Sequence, residues 1–343
     1  MANINTDFRT AVELTGVARG AVEAVSASLP LNRWLPNTDT ETLSFQVDAT
    51  EPSQDLARFR AFDTPAPYGR DAGSVRKTGT IPPISQKMRV SEYAELVLAG
   101  QTARLGAVID GYAAGSARDI AFRLEAARAE VLRTGRIKFD ENGLKATVDF
   151  GRHPSLAPAR LAGAKAWNNP GSDPVGDALA WRLLPQERKQ PIPTQMLITS
   201  DVMDALSLNP KVIAAYFGRT DNLVSRITFD QVRLVFSGYD MSVTVVDQAY
   251  QAVGLAASFF PAGTVMLLPS PGSQVTGGTL GTTEVGVPAE ALQPEYGIGQ
   301  AERAGLFAGA FSQSDPEGLD VLVSAIAIPV LARPNATVSA TVL

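Results

Sequence analysis

Between Ala117 and Phe139 the apolar residues recur at helical spacing. Ile120, Leu124, Ala127 and Val131 fall at i, i+4, i+7 and i+11, and Phe122, Ala126, Ala129 and Leu132 make a second line beside them. Two lines are too wide for a helix covered on one flank, so both flanks are expected to pack. Glu125 and Arg128, like Glu130 and Arg133, stand at i, i+3 and are expected on the exposed side, each pair worth about 0.2–0.5 kcal/mol. Thr134-Gly135 ends the helix, because glycine accepts the left-handed cap conformation. Alternation then takes over at Arg136–Phe139 and Leu144–Phe150, around Asn142-Gly143, a strong two-residue hairpin signal.

The rest of the chain is punctuated more heavily. Residues 8–28 carry a weak helical pattern that Leu29-Pro30 breaks. Thr40–Val47 alternates, with Leu43, Phe45 and Val47 on one face. Asp48–Met88 is rich in proline and glycine and reads as an extended two-stranded flap. Ser91 is placed to cap a helix, but Gly100, Gly106, Gly111 and Gly115 leave only an intermittent helical signal up to Ser116. Further on, a short helix is expected at Asp173–Leu184. Met196–Thr199 reads as a buried strand, with Ser200 capping a helix Asp201–Leu208 and another following at Lys211–Phe217. Gln231–Phe236 and Ser242–Val246 alternate as strands, and Thr264–Leu268 is a strand after a tight turn. Ser270–Val287 reads as a mobile loop. Leu306–Phe311 and Leu319–Val330 are strands around the turn Asp315–Gly318, with Pro329 marking an edge. Asn335–Leu343 is a last strand or tail.

Composition narrows the chemistry. At 343 residues the chain exceeds the ~250–300 at which one core usually divides, so more than one lobe is expected. It has no cysteine and a single histidine, His153, which removes disulfides and almost every His/Cys catalytic or metal constellation. The net charge of -5 argues against a general nucleic-acid binder. No apolar run is long enough to span a bilayer and the N-terminus carries no secretory pattern, so synthesis in a cytoplasm is expected. There is no GxxxxGK[ST], no strand-to-helix GxGxxG and no GxSxG. The expectation is no enzyme, no metal and no cofactor, although spacing alone leaves a carboxylate-dependent enzyme or a monomeric binding module open.

Arginine outnumbers lysine 23 to 7, and the flap concentrates basic residues. Arg58, Arg60, Arg70, Arg76 and Lys77 are interleaved with Phe59, Phe62 and Tyr68. A solvated loop and a nucleic-acid surface both fit the charge. The mixed aromatics and prolines favour contact with an acidic patch on a neighbouring subunit.

The order of elements resembles the tailed-phage major capsid proteins of the lambda-type E family. RLEAARAEVLRTGRIKF (123–139) is similar to that family's spine helix entering its peripheral sheet, and VDFGR (148–152) to its following strand. MLITSDVMDALSLNPKVIAAY (196–216), FFPAGTVMLLP (259–269) and SDPEGLDVLVSAIAIPVLARPNATVSATVL (314–343) resemble its later segments. The resemblance runs from about Thr40 to the C-terminus.

This resemblance implies an α+β, HK97-like fold. Residues 1–40 would be an N-arm, 41–90 an E-loop, and 91–151 the spine helix with the first part of a peripheral domain. Residues 152–303 would be an axial domain, and 304–343 would return to the peripheral domain. Spine packing would rest on Ile120, Leu124 and Val131, with Gly135 at the corner. The protein would self-assemble into hexamers and pentamers of an icosahedral virion head around double-stranded DNA, without sequence-specific binding and without a membrane. A separate scaffolding protein, a portal and a decoration protein are the implied partners. Some relatives join Lys to Asn covalently between subunits. Here Lys77 and Asn335 are the candidate pair, though no motif places the catalytic glutamate. An encapsulin-like nanocompartment shares the fold and is the alternative.

Overall fold

A computed structural model describes residues 3–26, 28–50, 59–60, 74–219, 224–246, 249–252, 255–272, 279–314 and 317–343. The chain divides into two compact units. The first comprises Met1–Phe45, Thr78–Arg128 and Gly281–Val330, and the second Gln46–Lys77, Ala129–Leu280 and Leu331–Leu343.

The first unit is built on a six-stranded sheet. Its axis is the strand Glu317–Leu331, buried along almost its whole length and mostly apolar, with Asp320 and Ser324 as its buried polar residues. Phe307–Ser314 pairs antiparallel with it on one side. On the other side lie Pro83–Ser91, in register from Pro83–Ile326 to Ser91–Gly318, and the strand Gly281–Gly286. Asn37–Asp39 adds in parallel to Gly281–Gly286, and Asn3–Ile4 pairs with Phe307–Ser314. Leu319, Val321, Val323 and Ala325 meet Leu14 and Ala18 of the helix Ala11–Ser26 and Leu105, Ile109 and Ala113 of the helix Thr102–Thr134. On the sheet's opposite side, Phe307, Phe311 and Leu322 pack with Ile298 and Tyr296.

Three expectations are corrected in this unit. The long helix begins at Thr102 rather than Ala117 and runs for 33 residues. Its glycines each cost about 1 kcal/mol against alanine, but Leu105, Ile109, Ala113, Ala117 and Ile120 form one buried stripe that outweighs them. Gly106 also leaves room for Arg9, whose guanidinium would lie 3.3 Å from an added Cβ. Arg9 grips Asp110 on the same helix through bonds of 2.9 and 2.8 Å. Second, the irregular region does not extend to Met88, because Pro83–Ser91 is a sheet strand. Third, Ser270–Val287 is not all loop: Gly281–Gly286 is a strand, and residues 273–278 lie outside the described residues. The flap's own strands, Ser44–Thr50 and Ser74–Thr80, pair as a two-stranded ribbon. On the Phe307–Ser314 side the last pair is Phe307–Ser324, so Pro329 lies beyond it there, while the strand's other side is taken by Pro83–Ser91 and Gly281–Gly286.

The second unit holds a four-stranded sheet in the order Val338–Thr341, Thr264–Leu268, Gln195–Ile198, Ser242–Val245. The first two pairings are antiparallel and the last is parallel. Helices Pro174–Glu187, Ser200–Leu208, Pro210–Phe217 and Phe229–Ser237 supply the core, where Trp167 stacks on Trp181 at 5.7 Å. Asn209 fastens this core. Its Oδ1 accepts from the Lys211 backbone N–H at 2.9 Å while its Nδ2 donates to Ser172 Oγ at 2.9 Å.

Here the expected strand at Gln231–Phe236 is a helix. Thr228 and Gln231 form a capping box, and Val232, Val235 and Phe236 are buried at i, i+3, i+4 spacing. Thr199, not Ser200, stands at the N-cap of Ser200–Leu208, without a side-chain bond. The segment 304–343 is also divided: Val338–Thr341 pairs with Thr264–Leu268, while residues 281–303 fall in the first unit rather than with 152–280. The hairpin Arg136–Glu141/Leu144–Asp149 turns at Asn142 and Gly143, with φ of 46° and 85°. Ser91 caps Glu92–Val97 by accepting from the Ala94 N–H, as its position predicts.

Candidate assembly surfaces

The flap's described residues range from buried Phe45 and Val47 to exposed positions. Phe59, Arg60 and Arg76 all face solvent, while Arg58 and Arg70 lie outside the described residues. Lys77 is half-buried, and its Nζ donates to the Asp149 carbonyl at 2.9 Å. Asn335 is also half-buried, its Oδ1 accepting from the His153 N–H at 2.9 Å. Both candidate cross-linking groups therefore already have partners within the second unit.

The spine residues are interior. Ile120 and Val131 are buried, Leu124 is half-buried, and Ala121, Ala129 and Leu132 are buried beside them, so both flanks are covered. Gly135 adopts φ of 69°, and a Cβ added there would sit 2.7 Å from the Arg152 Cβ.

Arg152 was not singled out by its sequence context. Its guanidinium donates to the Leu132 and Arg133 carbonyls and to Thr337 Oγ1, closing the end of the long helix where orphan carbonyls and the negative dipole end favour a cation. Burial, reinforced by Arg133 and Arg136, lowers its pKa to about 10. No local pattern signals this role, because the arginine comes from beyond the following hairpin.

Glu125 and Arg128 correct the expectation of an exposed pair. They meet at 2.9 Å with side chains 0% and 3% exposed. Glu125 also accepts from the Leu31 N–H at 2.6 Å. Arg128 donates to Thr283 Oγ1 at 2.9 Å and Asn37 Oδ1 at 2.5 Å. Burial pushes the Glu125 carboxyl above its ordinary range and the Arg128 guanidinium below its own, against their mutual attraction. The pair thus ties the segment after the first helix to the spine and to the inner strand Gly281–Gly286.

Among the described residues no group of three or more His, Asp or Glu side chains could hold a metal, and no helix is long and apolar enough to cross a membrane. What the surface offers instead is contact area: an exposed basic ribbon and exposed apolar side chains on short helices, including Leu96, Leu208 and Leu234.

The family model for phage major capsid protein E matches residues 31–342. The chain belongs to this family. It is a structural major capsid protein of the phage head shell, with an HK97-like α+β fold, and its place is the virion. Among solved structures, it is similar to a protein reported as a candidate prophage capsid protein of Escherichia coli CFT073, at 14% identity and a TM-score of 0.62, with 100% of each chain covered. It is similar to a phage-related protein of Bordetella bronchiseptica RB50 at 14% identity and a TM-score of 0.55, covering 99% of this chain and 97% of that one. It is also similar to the mature capsid of bacteriophage PhiM1 at 10% identity and a TM-score of 0.50, covering 91% and 86%. No curated protein matches the sequence.

Proposed function

We propose that this capsid protein tiles an icosahedral head from hexamers and pentamers around double-stranded DNA. The observation that carries this reading is coverage: the family match spans residues 31–342, nearly the whole chain. Rotationally closing heterologous contacts give rings, and rings tile a shell. Such contacts usually bury about 1,200–2,000 Å² or more. With no cysteine in the sequence, that area and Arg–carboxylate pairing must supply the cohesion.

In this reading the flap is the E-loop, and Arg58, Arg60, Arg70, Arg76 and Lys77 contact a neighbouring subunit. The axial and peripheral roles belong to the four-stranded and six-stranded units respectively, and residues 1–40 act as the N-arm. The subunit is made in the host cytoplasm and assembles on a separate scaffolding protein around a portal, with a shell surface open to a decoration protein. It binds DNA without reading sequence, and the acidic net charge of -5 limits trapping of the genome. Its role is structural, with no reaction of its own.

The test is electron microscopy of the expressed chain, alone and with its neighbouring reading frames. Hollow icosahedral particles or hexameric and pentameric rings are the expected result. A stable monomer at high concentration would overturn the reading, and shells loaded with a cargo enzyme would move it to a nanocompartment.

A further inference from the structure

The six-residue helix Glu92–Val97 is turned inside out. It buries none of its residues. Its apolar stripe, Tyr93, Leu96 and Val97, falls at i, i+3, i+4 and is 76%, 68% and 55% exposed. Glu95, half a turn away, faces the protein instead. Its Oε1 is buried without a hydrogen-bond partner, although the Leu319 backbone N–H donates to the carboxyl, at a cavity of about 240 Å³ lined also by Leu98, Gln313, Glu317 and Leu319. Glu317 stands close enough to repel it, and Arg89 only partly offsets this; with burial first among the causes, the carboxyl is held above its ordinary pKa.

A helix of this kind is unfavourable in a free subunit. An exposed apolar stripe gains nothing from water exclusion, and a buried carboxylate oxygen that lacks its own donor is left poorly solvated. Both defects are relieved by one kind of partner, which offers apolar surface to the stripe and a cation to the cavity.

We infer that Tyr93, Leu96 and Val97, with the adjoining Glu95–Glu317 cavity, form a docking surface for a second copy of this chain, which presents a basic side chain to Glu95. Charge complementarity selects that occupant. The docking surface carries Glu92, Glu95 and Glu317 against Arg89, whereas the same chain exposes Phe59, Arg60 and Arg76. The inference rests on the shell reading, since copies of this subunit are the abundant partner in a shell.

The test is hydroxyl-radical footprinting of wild-type particles against dissociated subunits, combined with two variants. Tyr93 and Leu96 are expected to be oxidised several-fold less in particles. The double variant Leu96→Ser/Val97→Ser and the single variant Glu95→Lys are each expected to lower particle yield about tenfold or more. Thermal melting of the unassembled double variant should match wild type, because its side chains are exposed. Equal oxidation in both states, or wild-type particle yield from both variants, would overturn the docking surface while leaving the shell reading intact. A wild-type chain that forms no particles under any assembly condition would overturn both.

Discussion

Glu125 and Arg128 form an ion pair removed from water, one helical turn apart on the spine, with every arm of the pair engaged by the N-terminal segment or the inner strand. Such a pair is a weak source of net stability, because desolvation offsets much of the attraction, yet losing one partner strands the other charge. Glu125→Leu is therefore expected to destabilise the unassembled subunit by about 3–5 kcal/mol. The double variant Glu125→Leu/Arg128→Met should recover most of that loss. Denaturant unfolding of the three proteins checks this. A double variant as unstable as the single one would show that the hydrogen bonds to Leu31, Asn37 and Thr283 matter more than the stranded charge.

The corner at Gly135 is set by two separate constraints, a φ of 69° and the 2.7 Å approach of the Arg152 Cβ. Asn is tolerated in the left-handed region but brings a Cβ. Gly135→Asn should therefore still lower the melting temperature and soluble yield. Gly143→Asn, where φ is 85° and nothing lies within 4 Å of the added carbon, carries the backbone strain alone and should cost less. Gly135→Val carries both penalties and should be the worst of the three. If Gly135→Asn melts like wild type, the clash relaxes at little cost and φ alone fixes the corner.

The parts legible in the sequence are those fixed by neighbours along the chain. The spine's stripe from Ile120 to Val131, the glycine stop and the Asn142-Gly143 turn need only a few consecutive residues, and the family resemblance follows from their order. The parts that were not legible depend on distant residues. Glu125 and Arg128 look like any exposed i, i+3 pair until Leu31, Asn37 and Thr283 close over them. Gly106 looks like a helix breaker until Arg9 fills the space beside it. Gly281–Gly286 has no apolar alternation because sheet neighbours, not its own residues, supply its partners. The helix Phe229–Ser237 is a different kind of miss: Thr228 and Gln231 spell a capping box, a local signal that the apparent alternation of 231–236 obscured. Removing that cap with Thr228→Ala should cost about 0.5–2 kcal/mol in unfolding of the subunit.

Glu95 gives a pH dependence with a definite sign. Its carboxyl is held above the ordinary 4.5, first by burial and then by Glu317. The folded subunit therefore binds this proton more tightly than the unfolded chain. The contribution of Glu95 to stability rises as pH falls through the raised folded value and levels off below the unfolded value near 4.5. Glu95→Gln should flatten this part of the curve and leave the unassembled subunit no less stable at neutral pH. Melting temperature against pH for both proteins is the measurement. A variant that keeps the wild-type slope would assign the effect to another carboxylate.

The flap arginines test the proposed neighbour contact most directly. Arg60 and Arg76 are exposed, so reversing their charge removes no core packing, and the melting temperature of the unassembled variant is the control for its fold. Reversal at Arg58, Arg60, Arg70 and Arg76 together should abolish particles or make them dissociate at much lower denaturant. The effect should grow at low ionic strength, where like charges are least screened. Lys77 is expected to behave differently, because its ammonium already meets the Asp149 carbonyl in its own chain. A denaturing gel of mature shells should accordingly show monomer and no ladder. Particle yield by sedimentation separates the two ideas: unchanged yield from the fourfold reversal removes the arginine contact, and a ladder that disappears in Lys77→Arg would instead establish the covalent link to Asn335.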